Sequence, residues 1–214
     1  MSNIAYDYME EYIRSLIPDN EGILKDLEEY AEENSVTIVH KEVGNFLRFI
    51  ISMKKPLKIL EVGTAIGYSS ILMCSAGNDI KIKTIELDPD MVKLSRENIV
   101  KSGFSQNIEV IEGDCLKVIK ELDEKFDMIF LDASKGHYNQ IFEDCLRLLS
   151  IDGVIIGDNV LFRGMVASRK LLIRRKITIV KRMKLFLDRI SKDNSLSTTV
   201  IPMGDGISVT VRRN

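Results

Sequence analysis

The sequence predicts an α/β fold in which a mostly parallel sheet carries helices on both faces. Three observations support this prediction. From residue 57 onward, short apolar runs alternate regularly with helical segments, as in a parallel sheet whose strands are joined by helices. A glycine-rich turn at residues 60–69 connects the first strand to its helix. Runs at residues 198–202 and 207–212 flank Met-Gly-Asp-Gly, which indicates a β-hairpin.

Helices are predicted before the alternation begins. Apolar residues recur there at helical spacing in three stripes, and Pro18 ends the first stripe. Residues 36–39, between the second and third stripes, are predicted to be extended or loop. The stripes consist of Ile4, Tyr8, Tyr12 and Leu16; of Ile23, Leu24, Leu27, Tyr30 and Ala31; and of Val43, Phe46, Leu47, Ile50 and Ile51.

The alternating part is predicted to contain five strands and four helices before the hairpin. The predicted strands are 57–62, 80–85, 107–111, 126–131 and 153–157, and the predicted helices are 68–76, 89–102, 114–122 and 138–149. Asp88 and Pro89 form a good helix start, because Asp caps a helix and Pro fits its first turn. The 214 residues fit a single domain, 1–214, with a helical cap (1–53) followed by the core (54–214).

The composition is that of a globular protein, with 45% hydrophobic and 29% charged residues. No apolar stretch approaches the roughly 20 residues needed to cross a bilayer, and the acidic first twenty residues do not resemble a signal peptide. Cys74, Cys115 and Cys145 are odd in number and far apart, so we expect reduced thiols in a cytoplasmic protein. His40 and His137 are too few for a histidine-based metal site.

Charge is distributed unevenly along the chain. Residues 1–34 contain ten acidic and two basic residues, whereas residues 163–192 contain eleven basic residues and one acidic residue. This asymmetry favours a polyanionic partner, although a solvated helix face would give the same pattern. The β-branched run at 177–180 argues against a regular helix in the basic segment. At about 100° per residue, four basic residues share one helix face: Lys170, Arg174, Lys181 and Lys184.

The glycine-rich turn and two later strand ends predict a nucleoside pocket. Gly63 and Gly67 permit tight turns and close approach of a ligand, or alternatively close helix–sheet packing. Their G-x-x-x-G spacing differs from the dinucleotide fingerprint, so a nicotinamide oxidoreductase is disfavoured. Glu86 ends the second strand, where an acid commonly binds two ribose hydroxyls, unless it is simply solvated. Residues 113–115, Gly-Asp-Cys, end the third strand and suit contacts to an adenine ring.

Oxygen-bearing side chains follow two further strands. Asp132-Ala-Ser-Lys135 follows the strand at 126–131, and Asp158-Asn159 follows the strand at 153–157. Ligands of open α/β sheets bind at the carboxyl ends of the strands. Two carboxylates and an amide there suit Mg²⁺, which prefers oxygen ligands. Alternatively, these residues cap the following helices.

The motif order E-V-G-T-A-I-G-Y-S, Glu86, D-A-S-K-G and D-N-V-L-F-R-G resembles the metal-dependent S-adenosylmethionine (SAM) O-methyltransferases, which include catechol and caffeoyl-CoA enzymes. The resemblance extends from about Val36 to the C-terminus. Within the family, residues 113–115, residues 158–166, the basic segment and residues 201–206 are most similar to the bacterial tRNA 5-hydroxyuridine methyltransferases, which make 5-methoxyuridine at wobble position 34. One departure is the absence of tryptophan, with Ser134 where vertebrate catechol enzymes place one.

The resemblance implies a Rossmann-like seven-stranded sheet whose last strand is antiparallel. It implies Asp132 and Lys135 as catalytic residues, with Lys135 as the base; alternatively, Lys135 is an exposed ammonium or an ion-pair partner. The implied metal ligands for Mg²⁺ or another divalent cation are Asp132, Asp158 and Asn159. The implied SAM contacts are Val39, Gly63, Ser69, Glu86, Gly113, Asp114, Cys115 and Asp132.

The resemblance, together with the basic segment, therefore implies methylation of 5-hydroxyuridine in the anticodon stem-loop of tRNA. Methylation of a small catechol-like or phenylpropanoid acceptor is the alternative, and a non-catalytic RNA-binding role is a third. The acidic N-terminal helices are expected either to cover the cofactor or to form the interface of a homodimer. The candidates for stacking on the base are Phe162, His137 and Tyr138. The predicted RNA contacts are Arg163, Lys170, Arg174, Arg175, Lys181 and Lys184.

Overall fold

Seven strands form one sheet in the part of the chain that the computed structural model describes, residues 4–133 and 136–213. They are β1 (Lys58–Val62), β2 (Lys81–Glu86), β3 (Ile108–Glu112), β4 (Phe126–Leu131), β5 (Leu149–Gly157), β6 (Leu196–Ile201) and β7 (Ile207–Arg212). Their spatial order is β3-β2-β1-β4-β5-β7-β6. The first five strands are parallel, and β7 is antiparallel to both β5 and β6. The predicted fold class is confirmed.

Helices cover both faces of this sheet. The described residues form α1 (Asp7–Ser15), α2 (Ile23–Glu33), α3 (Lys41–Lys54), α4 (Tyr68–Ser75), α5 (Pro89–Ser102), α6 (Cys115–Glu121), α7 (Tyr138–Leu148) and α8 (Ile177–Lys192). One core packs α2 to α5 against one face, and a second core packs α6 to α8 against the other. Ile59 and Leu60 belong to different cores because successive strand residues point to opposite faces.

The structure corrects the predicted start of β5 and two predictions about the basic segment. Strand β5 begins at Leu149 rather than at residue 153, because Leu149 pairs with Phe126 ahead of a register shift. The basic segment is not a single helix: two short 3₁₀ turns, Arg169–Leu171 and Arg174–Lys176, precede α8. Lys170 and Arg174 lie in those turns, so the prediction that they share a helix face with Lys181 and Lys184 is wrong. The β-branched run at 177–180, expected to disfavour a helix, forms the first turn of α8.

The topology places a crevice between β1 and β4. The chain adds β2 and β3 on one side of β1 and then returns to add β4 and β5 on the other. At such a reversal the connections after neighbouring strands diverge, and ligands bind outside the carboxyl ends of those strands. Within the described ranges, no helix is both long and apolar enough to span a bilayer.

Candidate active site

A cleft of about 760 Å³ opens at the carboxyl ends of β1 to β4. One half is lined by predicted nucleoside contacts, including Val39, Ser69, Glu86 and the segment 113–115. The other half is lined by Asp132, Asn159 and residues from the basic segment. The fold therefore brings the nucleoside residues and two of the three predicted metal ligands to one cavity.

The turn after β1 lies unusually close to the end of β4. Gly63 has φ +107°, and a Cβ built there would lie 2.8 Å from the carbonyl oxygen of Asp132 and 2.9 Å from the amide nitrogen of Ala133. Gly67 has φ +85°, and a Cβ there would make ordinary contacts of 3.4 Å or more with Ser95. Gly63 is thus needed both for its backbone angle and for close approach, whereas Gly67 is needed for its angle.

Glu86 binds the backbone around the cleft rather than standing free in solvent. Its Oε2 accepts hydrogen bonds from the amides of Thr64 (3.2 Å) and Ala65 (2.9 Å). Its Oε1 accepts from the amides of Leu87 (2.9 Å) and Asp88 (3.0 Å). A carboxylate has about four lone-pair positions, so a ribose diol would have to share them with these amides. The alternative of a simply solvated Glu86 is wrong.

The segment after β3 also has a local structural role. Asp114 caps α6 by accepting a hydrogen bond from the amide of Leu116 at 2.9 Å. Cys115 lines the cleft, and burial together with the neighbouring Asp114 raises the pKa of its thiol. The thiol therefore stays protonated near neutral pH, which suits a wall of the cavity rather than a nucleophile.

Glu61, in the middle of β1, is a buried acid that the sequence analysis missed. It is fully buried and accepts hydrogen bonds from the hydroxyls of Ser70 and Thr84, the latter at 2.6 Å. Its Oε1 is a buried side-chain oxygen with no hydrogen-bond partner among the described residues. Burial raises the pKa of Glu61, opposed by the nearby hydroxyls of Ser69, Ser70 and Thr84, of which Ser69 lines the cleft. The available signal was an acid inside an otherwise apolar strand.

The two acids after β4 and β5 follow paired strands in register. Leu131 pairs with Gly157, and the amide of Asp158 donates to the carbonyl of Leu131 at 2.9 Å. Asp158 is 1% exposed, and its Oδ1 accepts from the amide of Asn159 at 2.5 Å. The N-cap of α7 is His137, and no helix begins at residues 158–159. The helix-capping alternative for these acids is therefore wrong.

Tyr138, at the start of α7, joins the ends of these two strands. Its hydroxyl donates to the carbonyl of Leu131 at 2.6 Å and lies 3.1 Å from the carbonyl of Asp158. Burial, with the charges of Asp132 and Asp158, raises the pKa of Tyr138. At 1% exposure this ring is a core residue, so its suggested role in stacking on a base is wrong, whereas His137 lines the cleft.

The basic segment reaches the cleft with two basic side chains, Lys176 and Arg182, that were not among the predicted RNA contacts. Lys176, Ile179 and Arg182 line the cleft together with Phe162. The Nζ of Lys176 lies 5.7 Å from the centroid of the Phe162 ring, within the range of a cation–π contact. The six predicted RNA contacts, Arg163, Lys170, Arg174, Arg175, Lys181 and Lys184, are all exposed.

Two further predictions concern the segment that contains Lys135 and the set of metal ligands. Lys135 and Ser134 fall outside the described residues. No group of three or more His, Cys, Asp or Glu side chains arranged to hold a metal occurs in residues 4–133 and 136–213. The predicted metal set contains two acids and the amide of Asn159, and the chemistry of these oxygen donors fits Mg²⁺.

A seven-stranded sheet of this order, with a cleft at its switch point, defines the Rossmann-like methyltransferase class. The chain belongs to the O-methyltransferase family, whose model matches residues 15–213. It is 31% identical to a catechol O-methyltransferase of Niastella koreensis over 173 residues, 78% of each chain. It is 28% identical to a caffeoyl-CoA O-methyltransferase of Medicago sativa over 97% of this chain and 88% of that one. A methyltransferase of Podospora anserina, solved with SAH bound, matches with a TM-score of 0.89 and 25% identity, covering 97% and 95% of the two chains.

Proposed function

We propose that this chain is a SAM- and Mg²⁺-dependent O-methyltransferase that converts 5-hydroxyuridine to 5-methoxyuridine at position 34 of tRNA. The observation that carries the choice of acceptor is the contact between the basic segment and the cleft. Lys176 and Arg182 line the cavity, and the same segment carries further cations that are exposed. A reacting base attached to a polyanionic backbone matches this combination.

A buried carboxyl group in β1 supports SAM as the ligand of the cleft. Oε1 of Glu61 has no hydrogen-bond partner among the described residues, and the other carboxyl oxygen accepts from the hydroxyl of Ser70, the neighbour of Ser69 on the cleft wall. A buried carboxyl oxygen without a partner is costly, and the ammonium group of the methionine moiety would satisfy it. When bound, SAM supplies a methyl group on an electron-poor sulfonium. SAH, its product, is bound in the Podospora relative.

We expect Glu61→Gln to weaken SAH binding about tenfold, since it replaces a charge-assisted hydrogen bond with a poorly matched amide. Gln has the same shape and retains an oxygen for Ser70 and Thr84. Isothermal titration with SAH measures the effect. Glu112→Gln, at the exposed end of β3, is the matched control and should bind SAH normally. Unchanged affinity in Glu61→Gln would exclude this carboxyl from cofactor binding.

The acids after β4 and β5 would hold the metal, and Asn159 would complete the oxygen set. When bound, Mg²⁺ supplies a Lewis acid that lowers the pKa of the acceptor hydroxyl and fixes its direction. With SAM bound, the acceptor oxygen would take the methyl group and SAH would leave as the carbon–sulfur bond breaks. The chain's residues hold the two reactants in line, and such orientation can contribute roughly 7–11 kcal/mol. Lys135 is proposed to accept the hydroxyl proton.

The charge at the cleft favours RNA over a small acceptor. Phosphate contacts supply most of the affinity for nucleic acid, and an unpaired loop base can be splayed into a pocket. A small catechol-like acceptor is the second candidate, favoured by the 31% identity to the Niastella enzyme. It would occupy the cleft but leave the exposed cations without a role. An acceptor carried on coenzyme A would use some of them.

The experiment that tests the acceptor is nucleoside mass spectrometry of tRNA from a strain lacking this chain. We expect 5-methoxyuridine to disappear and 5-hydroxyuridine to accumulate. Purified protein with SAM should then methylate that tRNA in preference to catechol or caffeoyl-CoA. Normal 5-methoxyuridine in the deletion strain, or methylation of the small acceptors alone, would contradict the proposal.

We expect Lys176→Gln combined with Arg182→Gln to lower kcat/KM for tRNA at least about tenfold at physiological salt. Both cations line the cleft, within reach of phosphates next to a bound base, so the salt dependence of tRNA binding should fall by about two counterions. Turnover of the free 5-hydroxyuridine nucleoside should be retained. Lys101→Gln, at the end of α5 on the other face of the sheet, is the control. Equal losses for tRNA and nucleoside would argue against phosphate contacts.

A further inference from the structure

The turn between β6 and β7 holds the loop that follows β5. We call residues 158–163 the post-β5 loop. The amide of Val160 donates to the carbonyl of Gly206 at 2.9 Å, and the amide of Leu161 donates to the carbonyl of Asp205 at 3.0 Å. The amide of Arg163 donates to the carboxylate Oδ1 of Asp205. Three of the six loop amides are therefore bound by two consecutive residues of a distant turn.

The post-β5 loop has a backbone that needs external support. Asn159, Phe162 and Arg163 have φ of 59°, 45° and 54°, in the left-handed region that non-glycine residues rarely adopt. Such conformations persist when the surrounding structure over-determines them. Asn159 and Phe162 are also the loop residues that line the cleft. The unfavourable backbone angles thus coincide with the positions that face the reacting groups.

The turn between β6 and β7, which supplies this support, is packed closely against its neighbours. Gly204 has φ +55°, and a Cβ built there would lie 2.8 Å from Cγ2 of Val43 in α3. Gly206 has φ +89°, and a Cβ there would lie 2.7 Å from Cβ of Leu161. The turn is therefore wedged between α3 and the post-β5 loop, and Asp205 between the two glycines is buried, at 7% exposure.

We infer that Asp205 is a positioning residue for methyl transfer: its carboxylate holds the post-β5 loop so that Asn159 and Phe162 face the cleft. The bond from the Arg163 amide fixes the end of the loop at a pair of left-handed residues. Without it, Phe162 and Arg163 would relax toward ordinary backbone angles and carry Asn159 with them. The inference rests on the family's reaction and is independent of which acceptor is used.

The test compares Asp205→Ala with Asp205→Asn. Alanine removes the acceptor of the Arg163 amide, whereas asparagine keeps an oxygen at the same place. In Asp205→Ala we expect hydrogen–deuterium exchange of the 160–163 amides to rise roughly tenfold. The KM for tRNA carrying 5-hydroxyuridine should also rise about tenfold. The Kd for SAH should change less than twofold, because the SAM half of the cleft is built from other elements. Asp205→Asn should restore most of both properties.

Asp193→Ala is the matched control for a purely structural effect. Asp193 also accepts a backbone hydrogen bond in a turn, from the amide of Ser195 at 2.8 Å, just before β6. Its loss should lower the melting temperature without changing KM or exchange in the post-β5 loop. The inference would be overturned by unchanged loop exchange in Asp205→Ala, by equal damage from Asp205→Asn, or by an SAH affinity that falls as much as the acceptor's. If tRNA proves not to be the acceptor, the exchange and SAH measurements decide the role of Asp205 alone.

Discussion

Replacing Asp158 with alanine should lower methyl transfer by about 10²–10³-fold, the effect of losing several kcal/mol of electrostatic stabilisation. Asp158 is buried beside the cleft and follows β5 in register with Asp132 after β4. In the Asp158→Ala variant, a divalent cation at this site would keep only one of its two carboxylate ligands. Initial rates with saturating SAM, measured at a series of Mg²⁺ concentrations, separate weaker metal binding from slower transfer. Chelation of the metal should abolish the wild-type rate.

Two further variants isolate the charge of Asp158 from its structural role. Asp158→Asn keeps an acceptor for the Asn159 amide and should be impaired nearly as much as alanine, with less loss of stability. Asp127→Ala is the matched control on β4. That carboxylate accepts from the amides of Leu57 (2.9 Å) and Lys58 (3.0 Å) at the opposite end of the sheet. It should lower stability and leave turnover by the folded protein intact. Full activity of Asp158→Ala, or of wild type in chelator, would eliminate the metal from the mechanism.

The sequence could predict those features of the site that depend on local pattern. Strands appeared as apolar runs, and an acid placed directly after a parallel strand must lie at the carboxyl edge of the sheet. Asp132 and Glu86 were therefore located correctly without any knowledge of tertiary contacts. The helix-capping alternative for Asp158 could be rejected once the structure showed a non-helical loop following it. Periodicity does not distinguish these two outcomes, because Asp is favoured in both settings.

Features that depend on contacts between distant segments were not predictable. The two 3₁₀ turns shift the helical register of the basic segment, so Lys176 and Arg182 line the cleft in place of the residues chosen on one ideal helix. Glu61 gains its importance from Ser70 and Thr84, which lie on other elements. The bond between Asp205 and the Arg163 amide spans 42 residues. Each case is set by packing between elements, which sequence spacing alone does not encode.

Replacing Gly63 with alanine should lower the free energy of unfolding by about 3 kcal/mol or more, through left-handed strain plus steric overlap. The added Cβ would lie 2.8–2.9 Å from backbone atoms of Asp132 and Ala133. Backbone atoms cannot move aside as the end of a flexible side chain can. The overlap can therefore be relieved only if the turn after β1 or the end of β4 shifts. Both line the cleft, so we expect SAH affinity to fall at least about 100-fold, since well-placed contacts are lost together. Chemical denaturation and isothermal titration measure the two effects.

Gly103→Ala is the control that separates backbone strain from steric overlap of the added Cβ. Gly103 ends α5 with φ +80°, and a Cβ built there meets nothing within 4 Å. It should cost only the left-handed strain, about 1–2 kcal/mol, and leave SAH binding unchanged. The difference between the two variants measures what close approach of the turn to Asp132 contributes. If Gly63→Ala matched Gly103→Ala in both stability and SAH affinity, the turn would have room for a Cβ, contrary to the structure. The glycine would then serve backbone conformation alone, and the shape of the cleft would not depend on its contact with β4.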